Sequence, residues 1–136
     1  MIFSDKKNEI KHILVCDDIV DNSLLLQVIL VAAGYTVDVA YSGKAALEKI
    51  DFKIPDLLLL DFMMPGMNGY EVIQNIKQES KPYFFPIILM SAHSPSEIGR
   101  ECLEKIDGFI PKPLEIERLI DVIQSLKSPK VSVNTQ

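Results

Sequence analysis

Cysteine is scarce in this sequence, and long apolar runs are absent. Of the 136 residues only Cys16 and Cys102 are cysteines. Cys16 stands in an apolar segment that is typical of a buried strand, so both residues are expected to be reduced thiols and not a disulfide framework. No apolar run approaches the roughly 18 residues that a membrane-spanning helix needs.

The chain also has no excess of basic residues, and its N-terminal stretch is not expected to be a signal peptide. The chain has 14 Lys and Arg against 19 Asp and Glu, a net charge of -5. Because phosphate contacts dominate nucleic-acid affinity and require basic surfaces, we expect no nucleic-acid partner, and we expect no membrane partner either. The N-terminal stretch MIFSDKKNEIKH carries charges where a signal peptide has its apolar region, which places the protein in the cytoplasm by default.

The composition, with 48% hydrophobic and 24% charged residues, is typical of one folded domain without repeats or low-complexity tracts. Short apolar runs alternate with longer segments of helical period. The predicted strands are Ile13–Cys16, Thr36–Ala40, Leu57–Leu60, Pro86–Met90 and Gly108–Ile110. The predicted helices are Leu24–Ala33, Lys44–Ile50, Tyr70–Gln78, Glu97–Ile106 and Ile116–Leu126.

Capping signals support these helix boundaries. Asn68 stands three residues before Glu71, and Ser94 stands three residues before Glu97, which is the spacing of a capping box. Gly34 follows the first helix as a C-terminal glycine. Strict alternation of strand and helix predicts an α/β fold with an open, doubly wound parallel sheet that is covered by helices on both faces. Such sheets bind ligands at the carboxyl ends of their strands.

Polar side chains stand where the predicted strands end. They are Asp17 and Asp18 after the first strand, Asp61 after the third, Ser91 after the fourth and Lys112 after the fifth. Each has an ordinary interpretation by itself, as a helix cap, a loop hydroxyl or a solvated cation. Their convergence on one edge of the sheet favours a common site.

Three carboxylates at one edge repel one another by about 4 kcal/mol per pair at 4 Å, for an effective dielectric constant of 20. They therefore need a cation or a proton between them. A hard divalent ion suits such oxygen ligands, and Mg²⁺ (or Mn²⁺) is favoured because it retains waters that a phosphate can replace. Lys112 supplies a second compensating charge.

The combination of a metal, a lysine, a hydroxyl and a carboxylate on a rigid strand predicts phosphoryl chemistry. A carboxylate such as Asp61 can attack phosphorus and form an aspartyl phosphate. The metal and Lys112 would then neutralise the transferred oxygens, and Ser91 would donate a hydrogen bond to them.

Four motifs in this order resemble the receiver domains of response regulators, similar to the chemotaxis response regulator. They are VCDD at Val15–Asp18, LLLLDFMMPGMNG at Leu57–Gly69, ILMSA at Ile88–Ala92 and GFIPKP at Gly108–Pro113. The resemblance implies a flavodoxin-like, five-stranded parallel sheet of order 2-1-3-4-5 with five helices. It covers an expected receiver domain at 12–127. Residues 1–11 are expected to be an N-terminal extension and 128–136 a tail too short for an output domain, so a stand-alone receiver is expected.

The resemblance also implies a role for each site residue. Asp61 is the phosphoacceptor, Asp17 and Asp18 form the acidic pocket with Asp18 the more direct metal ligand, and the backbone carbonyl of Met63 completes the metal site. Lys112 contacts the phosphoryl group, and its bond to Pro113 is expected to be cis, a rare state for such bonds.

A second group of residues is implied in switching and in phosphate lifetime. Ser91 and Phe109 match the hydroxyl and the aromatic side chain of the family's switch. The side chains of Met63 and His93 flank the path of the hydrolytic water, so both are expected to modulate the lifetime. For His93 the alternative is that it merely precedes the cap of the fourth helix, and for Met64 packing is favoured over function.

The implied partners are proteins. With only His12 and His93 as histidines and no Gly-rich phosphate loop, the chain is not expected to be an enzyme with its own ATP site. The donor is therefore expected to be a phosphohistidine on a sensor histidine kinase or a histidine phosphotransfer protein. A downstream protein target is expected, and a homodimer through the face of the fourth helix, fifth strand and fifth helix stays open.

Two other functional classes compete with this prediction. One is a receiver-fold binding module or scaffold that is never phosphorylated, although a scaffold has no need for mutually repelling carboxylates. The other is a flavin or nucleotide carrier on a similar sheet, which an acidic pocket at the phosphate position disfavours.

Overall fold

Strands and helices alternate through the part of the chain that the computed structural model describes, residues 9–78, 80 and 83–126. The strands are β1 (His12–Cys16), β2 (Thr36–Ala40), β3 (Leu57–Asp61), β4 (Ile87–Ser91) and β5 (Gly108–Pro111). The helices are α1 (Val20–Ala32), α2 (Gly43–Phe52), α3 (Gly69–Ile76), α4 (Pro95–Ile98), α5 (Arg100–Leu103) and α6 (Ile116–Ser125). Residues 1–8 of the predicted N-terminal extension 1–11, and the whole predicted tail 128–136, lie outside the described residues.

The strands form one parallel sheet of order β2-β1-β3-β4-β5. The predicted flavodoxin-like, doubly wound fold and its strand order are confirmed. β3 lies at the centre of the sheet, and its register pairs Leu60 with Cys16 of β1 and Asp61 with Met90 of β4. The carboxyl ends of three neighbouring strands therefore meet around Asp61.

Alternate residues of each strand feed two separate cores. In β3, Leu58 and Leu60 face a cluster that includes side chains of α2, α3 and α5, whereas Leu57 and Leu59 face a cluster that includes side chains of α1 and α6. All four leucines have no exposed surface. Burial on both faces explains why β3 reads as a continuous apolar run.

The fourth predicted helix differs from the structure. The pattern Glu97–Ile106 predicts one helix, but the chain forms the two short helices α4 and α5, so the described residues contain six helices instead of five. The break falls at Gly99, whose φ of 100° and ψ of 150° lie outside the helical region. Only glycine adopts such backbone angles readily, which is why the break occurs at this residue.

Two further features concern the helices and the cysteines. The capping box of α3 is present, with Asn68 and Glu71 each accepting the other's backbone N–H. Cys16 and Cys102 are both buried free thiols. Within the described ranges, no helix combines the length and the apolar character that crossing a bilayer requires.

Candidate functional site

Three carboxylates meet at the carboxyl edge of the sheet. Asp17 and Asp18 follow β1, and Asp61 is the last residue of β3. Oxygen atoms of all three lie within 4.8 Å of one another. Asp17 and Asp61 are buried and Asp18 is half-buried. The structure thus brings together the acidic residues that the sequence analysis singled out.

The buried carboxylate of Asp17 is fixed by its own neighbourhood. Its Oδ1 accepts a hydrogen bond from the backbone N–H of Ile19 at 3.0 Å, and Asn22 Nδ2 lies 3.5 Å from its Oδ2. The hydroxyl of Ser23 donates to the Asp17 carbonyl at 2.9 Å. Among the described residues, no hydrogen bond or ion pair holds the carboxylate of Asp18. This carboxylate is therefore the one that can turn toward an added cation.

Lys112 connects two of the carboxylates. It follows β5, and its Nζ lies 3.0 Å from Asp61 Oδ1 and 3.3 Å from Asp17 Oδ2. Its backbone N–H donates to the Ser91 carbonyl at 2.9 Å, so the loop is attached to the end of β4. The bond between Lys112 and Pro113 is cis.

Burial and the neighbouring charges shift the pKa values of Asp61 and Lys112. Burial raises the pKa of Asp61, and the hydrogen bond and charge of Lys112 counteract this only in part, while the other two carboxylates raise it further. Burial favours the neutral form of Lys112, but its hydrogen bond to Asp61 and the surrounding carboxylates outweigh burial and raise the Lys112 pKa. Lys112 is therefore held as an ammonium beside Asp61.

Cys16 lies next to the acidic cluster without joining its chemistry. Burial, assisted by the negative charges of Asp17, Asp61 and Asp18, raises the pKa of its thiol to about 12. Its Sγ lies 3.7 Å from the sulfur of Met64, which is itself buried. Met64 therefore packs into the core, as the sequence analysis favoured.

The remaining predicted site residues surround the cluster. Ser91 is buried at the end of β4, and its Oγ accepts a hydrogen bond from the His93 backbone N–H at 2.9 Å. Phe109 of β5 is half-buried against the core on the side of α2, α3 and α5. Met63 is 55% exposed. The roles implied for these residues stay predictions.

Sequence reasoning missed two contacts that shape the site. The ring of Phe62 lies 6.1 Å from the ring of His93, centroid to centroid, so the residue after Asp61 contacts the residue two after Ser91. Ser23 is the second contact, through its bond to Asp17. Its signal in the sequence is a serine at the core-facing spacing of Leu26 and Leu30, where an apolar residue is expected.

Gly69 allows α3 to start against the strand that carries Asp61. A Cβ atom at Gly69 would lie 2.9 Å from the Asp61 carbonyl oxygen and 2.9 Å from the Phe62 Cα. The Gly69 N–H donates to the Phe62 carbonyl at 2.8 Å. The backbone at Asp61 and Phe62 is therefore held in place by close packing against Gly69 as well as by the sheet.

The donor set fits a hard divalent cation. Three carboxylates and one ammonium carry minus three and plus one, so a charge of minus two stays uncompensated when all are ionised. Carboxylate oxygens are the ligands that Mg²⁺ and Mn²⁺ prefer. Asp17, Asp18 and Asp61 would hold the ion, and the backbone carbonyl of Met63 is the further ligand that the family resemblance implies.

Comparison with known proteins gives one consistent family. The family model described as the response regulator receiver domain matches residues 13–124. Among curated proteins, the response regulator PleD of Caulobacter vibrioides is 34% identical over 90% of this chain and 27% of its own length. The transcriptional regulatory protein ZraR of Salmonella typhimurium is 38% identical over 82% of this chain and 25% of its own length.

Solved structures agree with this. The chemotaxis protein CheY4 of Vibrio cholerae matches with a TM-score of 0.79 and 27% identity, covering 86% of this chain and 98% of that one. The receiver domain of the Francisella response regulator 1452 matches with a TM-score of 0.75 and 27% identity, covering 83% and 93%. The chain spans about a quarter of the length of the two curated relatives named above.

Proposed function

Because the chain belongs to the response regulator receiver domain family and is a receiver of two-component signalling, we propose that Asp61 is its phosphoacceptor. The observation that carries this proposal is the position of the Lys112 ammonium, 3.0 Å from Asp61 Oδ1 inside the acidic cluster. The donor is a phosphohistidine on a sensor histidine kinase or a histidine phosphotransfer protein.

The chain's own residues account for the transfer step. One carboxylate oxygen of Asp61 attacks phosphorus, and the bond from phosphorus to the donor nitrogen breaks. The buried strand β3 holds Asp61 in place, and Lys112 stabilises negative charge on the moving phosphoryl oxygens. A divalent ion held by Asp17, Asp18, Asp61 and the Met63 carbonyl would neutralise further charge on those oxygens.

A switch follows from the surroundings of Asp61. The Ser91 hydroxyl accepts a hydrogen bond from His93 and has its own proton to donate, so it can bond to a phosphoryl oxygen. Motion of Ser91 opens space for the half-buried Phe109. The change then reaches the surface of α4, α5, β5 and α6, where a downstream protein binds and where a homodimer would form.

The proposal also covers the extent of the domain and the way in which its signal is read. The receiver domain spans 12–127 of this chain and the signal is read by protein contacts, without a separate substrate that is turned over.

Phe109 lacks the hydroxyl of a tyrosine, so a partner recognises an aromatic surface here and not a hydrogen-bonding group. Met63 and His93 modulate the lifetime of the phosphate from either side of Asp61.

The direct test is phosphorylation without a protein donor. The chain is incubated with Mg²⁺ and acetyl phosphate or phosphoramidate, and the intact mass is measured. We expect one added phosphoryl group on the wild type, lost when Mg²⁺ is chelated, and none on Asp61→Asn. An equal adduct on Asp61→Asn, or no adduct on the wild type, would contradict the proposal.

A further inference from the structure

An apolar cavity opens beside the acidic cluster. It lies between α1 and the loop that leads from β5 into α6, and its volume is about 280 Å³. Its apolar walls are Leu25, Leu26 and Ile29 of α1 together with Pro113, Leu114 and Ile116. The polar residues Asp17, Asn22 and Lys112 complete the lining. The cavity is therefore an apolar pocket that shares Asp17 and Lys112 with the candidate phosphorylation site.

The distance from this cavity to the acceptor is short. Lys112 lines the cavity and its Nζ also contacts Asp61 Oδ1 at 3.0 Å. Asp17, the other charged lining residue, has a carboxylate oxygen within 4.8 Å of one of Asp61. The residues that neighbour Asp61 are thus also lining residues of the cavity, which brings the cavity close to a phosphate bound at Asp61.

The chemistry of the charged and the apolar lining residues specifies the ligand. Lys112 attracts an anionic phosphate, and the six apolar side chains favour a hydrocarbon chain. A water molecule's share of liquid volume is about 30 Å³, so the cavity has room for several groups of methylene size. An aliphatic chain carrying a phosphate at its end matches both requirements, whereas a fully polar phosphate donor leaves the walls uncovered.

We propose that the receiver accepts phosphoryl groups from small aliphatic acyl phosphates of about four to six carbons, whose acyl chains bind in this cavity. The inference rests on the proposed role of Asp61. One carboxylate oxygen of Asp61 attacks phosphorus, the new O–P bond forms, and the P–O bond to the acyl carboxyl breaks. The fatty carboxylate leaves with the electron pair, so charge balances without an oxidant, a reductant or a proton.

A protein donor could use the same surface, and the structure offers a way to separate the two. Leu24 and Leu25 are neighbouring leucines of α1 that are 46% and 59% exposed, but only Leu25 lines the cavity. A partner helix lying on α1 would bury exposed side chains outside the cavity as well, such as Leu24 and Val28. An acyl chain contacts only the lining.

The experiment measures initial phosphorylation rates of the full chain with Mg²⁺ and acetyl, butyryl or hexanoyl phosphate at equal, subsaturating concentrations. The leaving carboxylates have nearly equal basicity, so intrinsic reactivity changes little along the series. Each fully buried methylene is worth about fourfold, and we expect a rise of at least about tenfold from acetyl to hexanoyl phosphate. Leu25→Ser is expected to lower the hexanoyl-to-acetyl ratio severalfold.

Leu24→Ser is the matched control, because it makes the same change on the same helix outside the cavity. The ratio is expected to stay at the wild-type value in this variant. Equal rates for all three acyl phosphates would overturn the inference while the proposed function stands, and so would equal ratios in the two serine variants. If acetyl phosphate itself fails to label Asp61, the proposed function fails and this inference fails with it.

Discussion

The site depends on individual contacts that leave one carboxylate free and hold another. Asp17 is fixed by Ile19, Asn22 and Ser23, and Lys112 bridges it to Asp61. Asp18 lacks such contacts within the described part of the chain. This division agrees with a metal site in which one ligand is prepositioned and another adapts. Since burial outweighs the ion pair at Asp61, the ionised Asp61 carboxylate is a source of instability.

Asp61→Asn is therefore expected to raise the melting temperature at neutral pH in a buffer without divalent cations. The pKa of Asp61 is higher in the folded chain than in the unfolded chain, so the ionised carboxylate opposes folding at pH values above the folded pKa. This opposition fades as the pH falls through the folded pKa and is gone below the unfolded pKa. Thermal denaturation of both proteins from neutral to acidic pH should show an advantage of the variant that shrinks on acidification; a constant advantage would contradict the argument.

Ser23→Ala is expected to lower the free energy of unfolding by about 1 kcal/mol, because its buried hydroxyl donates to the Asp17 carbonyl. It should also weaken Mg²⁺ binding, measured by calorimetry, since the backbone that carries the Asp17 carboxylate loses a hydrogen bond. Ser125→Ala is the matched control, because it removes a hydroxyl that donates to a carbonyl on the exposed side of α6. Unchanged Mg²⁺ affinity in Ser23→Ala would limit that residue to a structural role.

At the scale of elements, the strands were predictable and one helix was not. Each strand carries an apolar run buried on one or both faces, a signal that survives without tertiary information. The strand order came from the family resemblance and not from the runs themselves. The break at Gly99 escaped prediction because an isolated glycine inside a helical pattern is tolerated, at a cost of about 1 kcal/mol, and need not end the helix.

The candidate site likewise contains residues that the sequence located and contacts that it did not. The strand-end rule located Asp17, Asp18, Asp61, Ser91 and Lys112, since parallel strands deliver their last residues to one edge. The contact of Phe62 with His93 and the bond from Ser23 to Asp17 depend on how loops and α1 lie on the sheet. No spacing in the sequence encodes those distances.

Gly99→Ala tests whether α4 and α5 are a helix that one residue interrupts. Alanine disfavours the backbone angles of Gly99, φ 100° and ψ 150°, by about 1–3 kcal/mol, so the variant should shift this residue into the helical region and join the two helices. We expect a rise in helical circular dichroism. Gly34→Ala is the matched control: its φ is 106° and its surroundings are equally open, but it ends α1, so it should lose stability without gaining helix. No difference between the variants would show that the break is fixed by packing.

On the scale of the whole molecule, metal binding should be visible as stability. A ligand that binds only the folded chain adds about 1.4 kcal/mol to the free energy of unfolding for each tenfold increase above its dissociation constant. We expect Mg²⁺ to raise the melting temperature of the wild type progressively. Asp18→Asn should abolish most of this rise, because it removes the carboxylate that is free to turn. Asp38→Asn, on the exposed part of β2, should leave the rise intact; an equal loss in both variants would contradict the assigned ligand.

The alternation of β3 decides on which side of the molecule the chemistry occurs. Asp61 continues the series of Leu57 and Leu59, which face α1 and α6, and not the series of Leu58 and Leu60. Lys112 and the apolar cavity lie on that same side. One residue inserted among the leucines would exchange the two series and turn Asp61 toward α2 and α3. The odd or even number of residues in β3 therefore determines whether Asp61 lies on the same side of the sheet as Lys112.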